Sequence, residues 1–154
     1  MTGVSEIAFS SALDLAGFYR AKALSPVEVA EALFARLDAL QPRLNAFCVV
    51  DRDGALAAAR ESERRWIAGR PLGPLDGAPA TIKDLVPMRG FPTLRGSRMI
   101  DPEQDWAEDG PAVARLREAG AVILGKTTTP EFGWKAIGDS PLTGITRNPW
   151  NLER

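Results

Sequence analysis

"EDGPAVARLREAGAVILGKT", residues 108–127, makes two structural statements in one short run. Asp109 reads as the cap of a short helix whose Val113 and Leu116 face inward, and Gly120 reads as its end, because glycine takes the left-handed conformation there without a steric penalty. The "AVIL" that follows, 121–124, is an unbroken apolar run, the pattern of a strand covered on both faces. Upstream, "APATIKD", 78–84, has strand character between turn-forming residues. A strand, a crossover containing a helix and a second apolar strand predict a right-handed βαβ unit, and with it a parallel sheet.

Ahead of that unit the chain reads as helix. "LSPVEVAEALFARLDAL", 24–40, opens with Ser25 as N-cap, Pro26 at the first helical position and Glu28 closing a capping box. Val29, Leu33, Leu37 and Leu40 then recur at helical spacing, and Pro42 is expected to end the helix. A shorter helix containing Leu13, Leu15 and Phe18 is expected over Ser11–Ala23. A third, "DGALAAARESERRWIAG", 53–69, ends at Gly69, and its charged middle, Arg60 to Arg65, reads as a solvated face. At Arg70 the texture changes to "RPLGPLDGAP", which is loop. The fold class is therefore α/β: N-terminal helices over 1–69, then the start of a mixed, largely parallel sheet over 70–154, with helices packed around it.

Composition narrows the function. The chain has 154 residues, 45% hydrophobic and 25% charged, with a formal net charge of −1, so one core fits and no basic excess points to nucleic acid. No apolar run is long enough for a bilayer span, and "MTGVSEIAFSSALDL" has no basic start followed by an apolar core, so neither a membrane nor secretion is expected. The single cysteine, Cys48 in "AFCVV", excludes an internal disulfide, fits a cytoplasmic protein and reads as a small buried hydrophobe. There is no histidine, which removes Ser-His-Asp and Cys-His catalysis and leaves a carboxylate, tyrosine or lysine as the neutral-pH base. No metal or organic cofactor is called for.

Lysine is scarce: only Lys22, Lys83, Lys126 and Lys135 accompany the arginines. Lys83 stands at the end of "APATI", near the carboxyl end of a strand, where ligand crevices form in open α/β sheets. Enclosed by Ile82, Leu85, Val86 and Pro87, its amine would be poorly solvated, its charged form disfavoured and its basic form available. The competing readings are a Lys83 paired with the adjacent Asp84 or one reaching out to solvent.

Three segments in order, "GPLDGAPATIKDLVPMRGFPTLRGS", "DGPAVARLREAGAVILGKTTTPEFG" and "TRNPWN", together with the helical "LSPVEVAEALFARLDALQPRLNAF", resemble the amidase signature family from about Leu24 to Arg154. The resemblance implies an amide hydrolase with a serine nucleophile, a bridging serine on a cis peptide bond and a lysine base, and Lys83 matches that lysine. It implies that neutral lysine draws a proton through the bridging serine as the nucleophile attacks, while backbone amides of a glycine-rich loop hold the oxyanion. Arginine could not replace such a base, because it does not release its proton. Family members carry the glycine- and serine-rich loop beyond the segment matching Arg147–Trp150; here the sequence stops at Arg154, so the resemblance is to the N-terminal part of an amidase-type domain, inactive by itself and prone to self-association.

The resemblance also places "GKTTTPEFGW", 125–134, beside the substrate crevice, with Thr127, Phe132 and Trp134 as lining residues, against a plain reading of the aromatics as core. Lys126 follows Gly125, but the upstream glycine spacing is wrong for a phosphate loop, and Glu131 has no partner carboxylate. Ser97 could form a dyad with Lys83 or simply close a turn, and the lack of an oxyanion loop favours the turn. The expected partner is a small-molecule amide. The alternatives are a non-catalytic binding or oligomerising module and, within the family, the ammonia-transferring A-type component of an amidotransferase.

Overall fold

The computed structural model describes residues 7–153, so Met1–Glu6 and Arg154, and with them the start of the N-terminal stretch and the chain's last residue, lie outside the described residues. Among the described residues the elements run in the order α1 (Ala12–Arg20), α2 (Pro26–Leu44), β1 (Phe47–Val50), α3 (Arg52–Ile67), β2 (Pro79–Lys83), α4 (Pro111–Glu118), β3 (Val122–Thr127), β4 (Asp139–Ser140) and β5 (Gly144–Ile145). The chain divides into two compact units, one of Met1–Asp38, Asp51–Ala80 and Arg115–Leu124, the other of Ala39–Val50, Thr81–Ala114 and Gly125–Arg154.

In the first unit the caps foreseen in the sequence are made. Ser25 N–H donates to Glu28 Oε2 at 2.8 Å and Glu28 N–H to Ser25 Oγ at 3.2 Å, a reciprocal box that starts α2. Ser11 and Asp14 make the same box at the start of α1. Leu15, Ala16 and Tyr19 of α1, Val29 and Ala32 of α2 and Trp66 of α3 form the core, with Phe18, Leu24 and Leu33 packed against it; Leu13 is exposed. The Tyr19 and Trp66 rings meet at 5.8 Å, tilted by 56°, a contact that contributes about 0.5–1.5 kcal/mol beyond area burial. Each ring also satisfies its polar atom on the loop before β2: Tyr19 Oη donates to Gly77 O and Trp66 Nε1 to Asp76 O. The leucine stripe of α2 is only partly used, since Leu33, Leu37 and Leu40 are half-buried while Val29, Ala30, Ala32 and Phe34 are buried.

The charged run of α3 is not uniformly solvated. Arg65 turns inward and clasps Asp76 with two bonds, Nε to Oδ2 at 2.8 Å and Nη2 to Oδ1 at 2.6 Å, and the Leu72 N–H adds a third at 2.9 Å. Burial pushes the Asp76 carboxyl up, but the bonds from Arg65 and Leu72 outweigh it and hold it below the usual carboxylate value of 3.8. Such a group adds stability that is complete above its unfolded-state pKa and fades as pH falls through the lower folded value. The stability difference between the native chain and Asp76→Asn, measured by urea unfolding, is therefore expected to be the same at pH 7 and pH 5 and to shrink toward pH 3; a difference unchanged at pH 3 would contradict the clasp.

β2 and β3 are parallel, as the crossover predicts: Val122 N–H donates to Ala78 O at one end and Asp84 N–H to Thr127 O at the other. α4 begins at Pro111 with Gly110 O accepting from Ala114 N–H, so Gly110 holds the cap position, and Asp109 Oδ1 instead accepts from Arg89 N–H at 2.8 Å. Val113 is buried and Leu116 half-buried. The helix closes with Gly120 N–H to Arg117 O and Ala121 N–H to Leu116 O, the paired bonds of a left-handed glycine stop. Gly120 has φ of +79°, and a Cβ there would stand 2.6 Å from Asp76 Oδ1, so the stop and the Arg65 clasp both require glycine.

Three further findings correct the sequence reading. Pro42 lies inside α2, which continues to Leu44 and is closed by Asn45 at φ of +50° with its N–H on Gln41 O. A proline so near the end removes a single hydrogen bond, which one remaining turn tolerates. "AFCVV" is a strand: β1 pairs antiparallel with β3, giving the sheet order β1-β3-β2. Gln41 leads the chain from α2 into β1, its Oε1 accepting from the Ala46 and Phe47 N–H groups and its Nε2 donating to Phe47 O. β3 runs past "AVIL" through Gly125 and Lys126 to Thr127; Gly125 is required because a Cβ would stand 2.2 Å from Val49 O on β1.

Candidate active site

β2 alternates at its carboxyl end. Ile82 is buried, Lys83 exposed and Asp84 buried, as successive side chains on an extended chain must point to opposite sides. Lys83 thus stands at the strand end where it was expected, but without the apolar enclosure: Leu85 and Val86 are half-buried and Pro87 is exposed. Among the described residues Lys83 makes no ion pair, so the Lys83–Asp84 pairing is not formed either. Asp84 turns away and binds a different lysine.

That lysine is Lys126. Its side chain has no exposed surface, and Nζ reaches Asp84 Oδ1 at 2.8 Å, Pro92 O at 2.6 Å and Thr93 Oγ1 at 2.7 Å. An ammonium has three hydrogens, and all three have acceptors here. Cys48 on β1 adjoins this pair, its Sγ donating to Lys126 O at 3.5 Å. Burial pushes the Cys48 thiol up to about 11, with the Asp84 charge adding to the rise and the Lys126 charge opposing it, so the half-buried thiol remains protonated at neutral pH. The sequence reading missed the ion pair. Its signal was a lysine one residue beyond a fully buried apolar run.

Ser97 is fully buried, with Oγ donating to Glu131 Oε1 at 2.7 Å and accepting from Met99 N–H at 3.2 Å. The hydroxyl serves this network and the turn closed by Ser97 N–H on Leu94 O, so no Ser97–Lys83 dyad is made. Glu131, given no role from sequence, is the partner that holds Ser97. Phe132 follows at φ of +49° with its N–H on Arg95 O, itself at φ of +55°. Two non-glycine residues in left-handed conformation, bonded to each other, fix the Phe132 ring half-exposed.

Thr127, Phe132 and Trp134 are placed differently. Thr127 is half-buried, and its carbonyl takes the Asp84 N–H, so it adjoins the residue after Lys83. The Phe132 turn lies against the same strand end: a Cβ on Gly133 would stand 2.6 Å from Leu85 Cδ1. Trp134 is 75% exposed, with Lys135 Nζ 5.5 Å from its ring centre, which removes the reading of this residue as core. The arrangement presents an unpaired amine, an exposed phenylalanine and a threonine at the carboxyl ends of adjacent parallel strands. No group of histidine, cysteine, aspartate and glutamate able to hold a metal occurs among the described residues.

The family described as Amidase matches residues 28–154. The chain is 41% identical over 153 residues to the A-type component of the glutamyl-tRNA(Gln) amidotransferase of Salinispora tropica, covering 98% of this chain and 30% of that protein. It is 44% identical over 144 residues to an acylamidase of Rhodococcus erythropolis, covering 92% of this chain and 30% of the relative. Among solved structures, a bacterial aryl acylamidase of the amidase signature enzymes superposes with a TM-score of 0.87 at 30% identity, over 94% of this chain and 30% of that one. The chain thus spans about 30% of the length of these relatives.

Proposed function

We propose that this chain, which belongs to the amidase signature family, supplies the lysine base and part of the substrate crevice of an enzyme that hydrolyses carboxamides. The observation that carries the reading is Lys83: an unpaired amine at the carboxyl end of β2, with Asp84 engaged elsewhere. In the reaction the neutral amine takes the proton of a bridging serine, which takes that of the nucleophilic serine as it attacks the amide carbon. Ammonia or an amine leaves, an acyl-enzyme remains, and water releases the acid. The two serines and the oxyanion amides are not found around Lys83 in these residues, so they come from elsewhere in the working enzyme. Thr127 and Phe132 line the crevice at the strand ends, with Trp134 at its outer side, and the likeness to an acylamidase favours a carboxamide substrate.

The test is ammonia release from a simple primary amide such as benzamide. A complete enzyme carrying these residues is expected to release it, and the 154-residue polypeptide alone to release none. Release by the isolated polypeptide would refute the division of labour. A second reading, ammonia transfer within an amidotransferase, is favoured by the 41% identity to the A-type component of one, and ammonia appearing only in the presence of an acceptor substrate would select it.

Self-association belongs to the same reading. Met99, Trp134 and Trp150, at 87%, 75% and 93% exposure, are large apolar side chains presented to solvent by the second unit. Sedimentation of the purified polypeptide at low micromolar concentration is expected to show oligomers, and a discrete monomer at every concentration would contradict the expectation. A cytoplasmic location fits the single cysteine, and no described helix is long and apolar enough to cross a membrane.

A further inference from the structure

At the end of β2 one carboxylate has a lysine beside it in sequence and another lysine bound to it. Asp84 follows Lys83 directly in sequence and is nearly covered, while Lys126 on β3 is fully covered and bonded to Asp84 Oδ1 at 2.8 Å. We propose that Lys126 is a positioning residue for the base: by holding the Asp84 carboxylate on the covered side of β2, it leaves the adjacent Lys83 without a counter-ion. The inference rests on the reading of Lys83 as the base, and it explains why a costly buried ion pair stands beside an exposed lysine.

A base must spend part of its time neutral, and an unneutralised carboxylate one residue away stabilises its protonated form. Paired with Lys126, Asp84 contributes a compact dipole; unpaired, it contributes a full negative charge. Asp84 is anchored to β3 twice, by its side chain to Lys126 and by its N–H to Thr127 O at 3.0 Å. Lys126 is anchored in turn to Pro92 O and Thr93 Oγ1, so the ends of β2 and β3 and the 92–93 segment share one ammonium. Ile82 is buried on the other side of Lys83, and Val86 N–H closes a turn on Lys83 O. The backbone of Lys83 is held on both sides while its side chain remains free.

Cys48 on β1 also feels both charges, and its thiol stays protonated at neutral pH and adds no charge. Burial points the same way. Replacing a buried ion pair with neutral groups of similar volume is often harmless to stability, so cohesion is a weak reason to keep one here. Separating Asp84 from Lys83 is a reason that hydrophobic residues would not meet as well, because they would also remove the polar anchor for Pro92 and Thr93.

The experiment measures the protonation of Lys83 directly, and so does not depend on catalysis. In the complete enzyme, the rate at which acetic anhydride acetylates Lys83 is followed against pH by peptide mass spectrometry, in the native protein, Lys126→Met, Asp84→Asn and the double variant. Lys126→Met frees the Asp84 charge, and the midpoint is expected to rise by about one pH unit. Asp84→Asn leaves the Lys126 charge without its counter-ion, and the midpoint is expected to fall. The double variant has neither charge, and its midpoint is expected to return to the native value. If Lys126→Met does not fold, the opposite shift in Asp84→Asn still decides the matter. Midpoints identical in every variant that folds would overturn the proposal and reduce the pair to a structural tie. Shifts of the expected sign in an enzyme whose activity survives Lys83→Ala would instead show the charge coupling while refuting the reading of Lys83 as base, and with it the positioning role.

Discussion

Lys83→Ala and Lys83→Arg are each expected to lower acylation in the complete enzyme by about 100- to 10,000-fold, the usual effect of removing a general base. The arginine variant is the informative one. It keeps the positive charge and most of the stem, but it has no accessible neutral form at working pH. A structural lysine would tolerate the change; a base would not. Both variants are expected to fold with native stability to within about 0.5 kcal/mol, because Lys83 is exposed and makes no ion pair among the described residues. Single-turnover acylation with a chromogenic anilide, beside urea unfolding of the same preparations, separates the two effects. An arginine variant that acylates at a tenth of the native rate or faster would remove Lys83 from the mechanism.

Lys126→Met is expected to do the reverse, costing about 3–5 kcal/mol of stability, because it leaves the Asp84 carboxylate covered and without its counter-ion. It also strips Pro92 O and Thr93 Oγ1 of their donor, so the loss is spread over three chain segments. Adding Asp84→Asn should recover part of the loss, since the amide removes the orphaned charge while Pro92 and Thr93 still lack a partner. Urea unfolding of the two single variants and the double variant forms a complete cycle. A Lys126→Met protein as stable as the native one would show that water reaches Asp84 and that the pair is not covered in solution. The two lysines are thus distinguished by opposite signatures, one in rate and the other in stability.

The contrast between them marks the division between what could be read along the chain and what could not. Local rules sufficed wherever a residue's role depends on neighbours within a turn or two. The Ser25–Glu28 box and the glycine stop at Gly120 each follow from such spacing. Pro42 misled because the penalty for proline depends on how many helical bonds remain beyond it, and only one turn remained. β1 went unrecognised because four residues carry little periodicity; it is a strand because Gly125 lets the Val49 backbone approach and Gln41 captures the Ala46 and Phe47 amides.

The site divides along the same line. The position of Lys83 at a strand end was legible from its place after an apolar run, since strand ends and the alternation of side chains are local properties. Which lysine Asp84 would bind was not, because adjacency in sequence places Lys83 and Asp84 on opposite sides of a strand. The partner 42 residues away (84 to 126) arrives only when β3 lies alongside β2. Arg65 shows the same effect: within a run of charges it reads as solvated, and it turns inward because Gly120 leaves room for Asp76 beside it. Side-chain direction and backbone stops are written in the chain. Charge pairing across segments is set by packing, because a carboxylate withdrawn from water binds whichever cation the fold delivers to it.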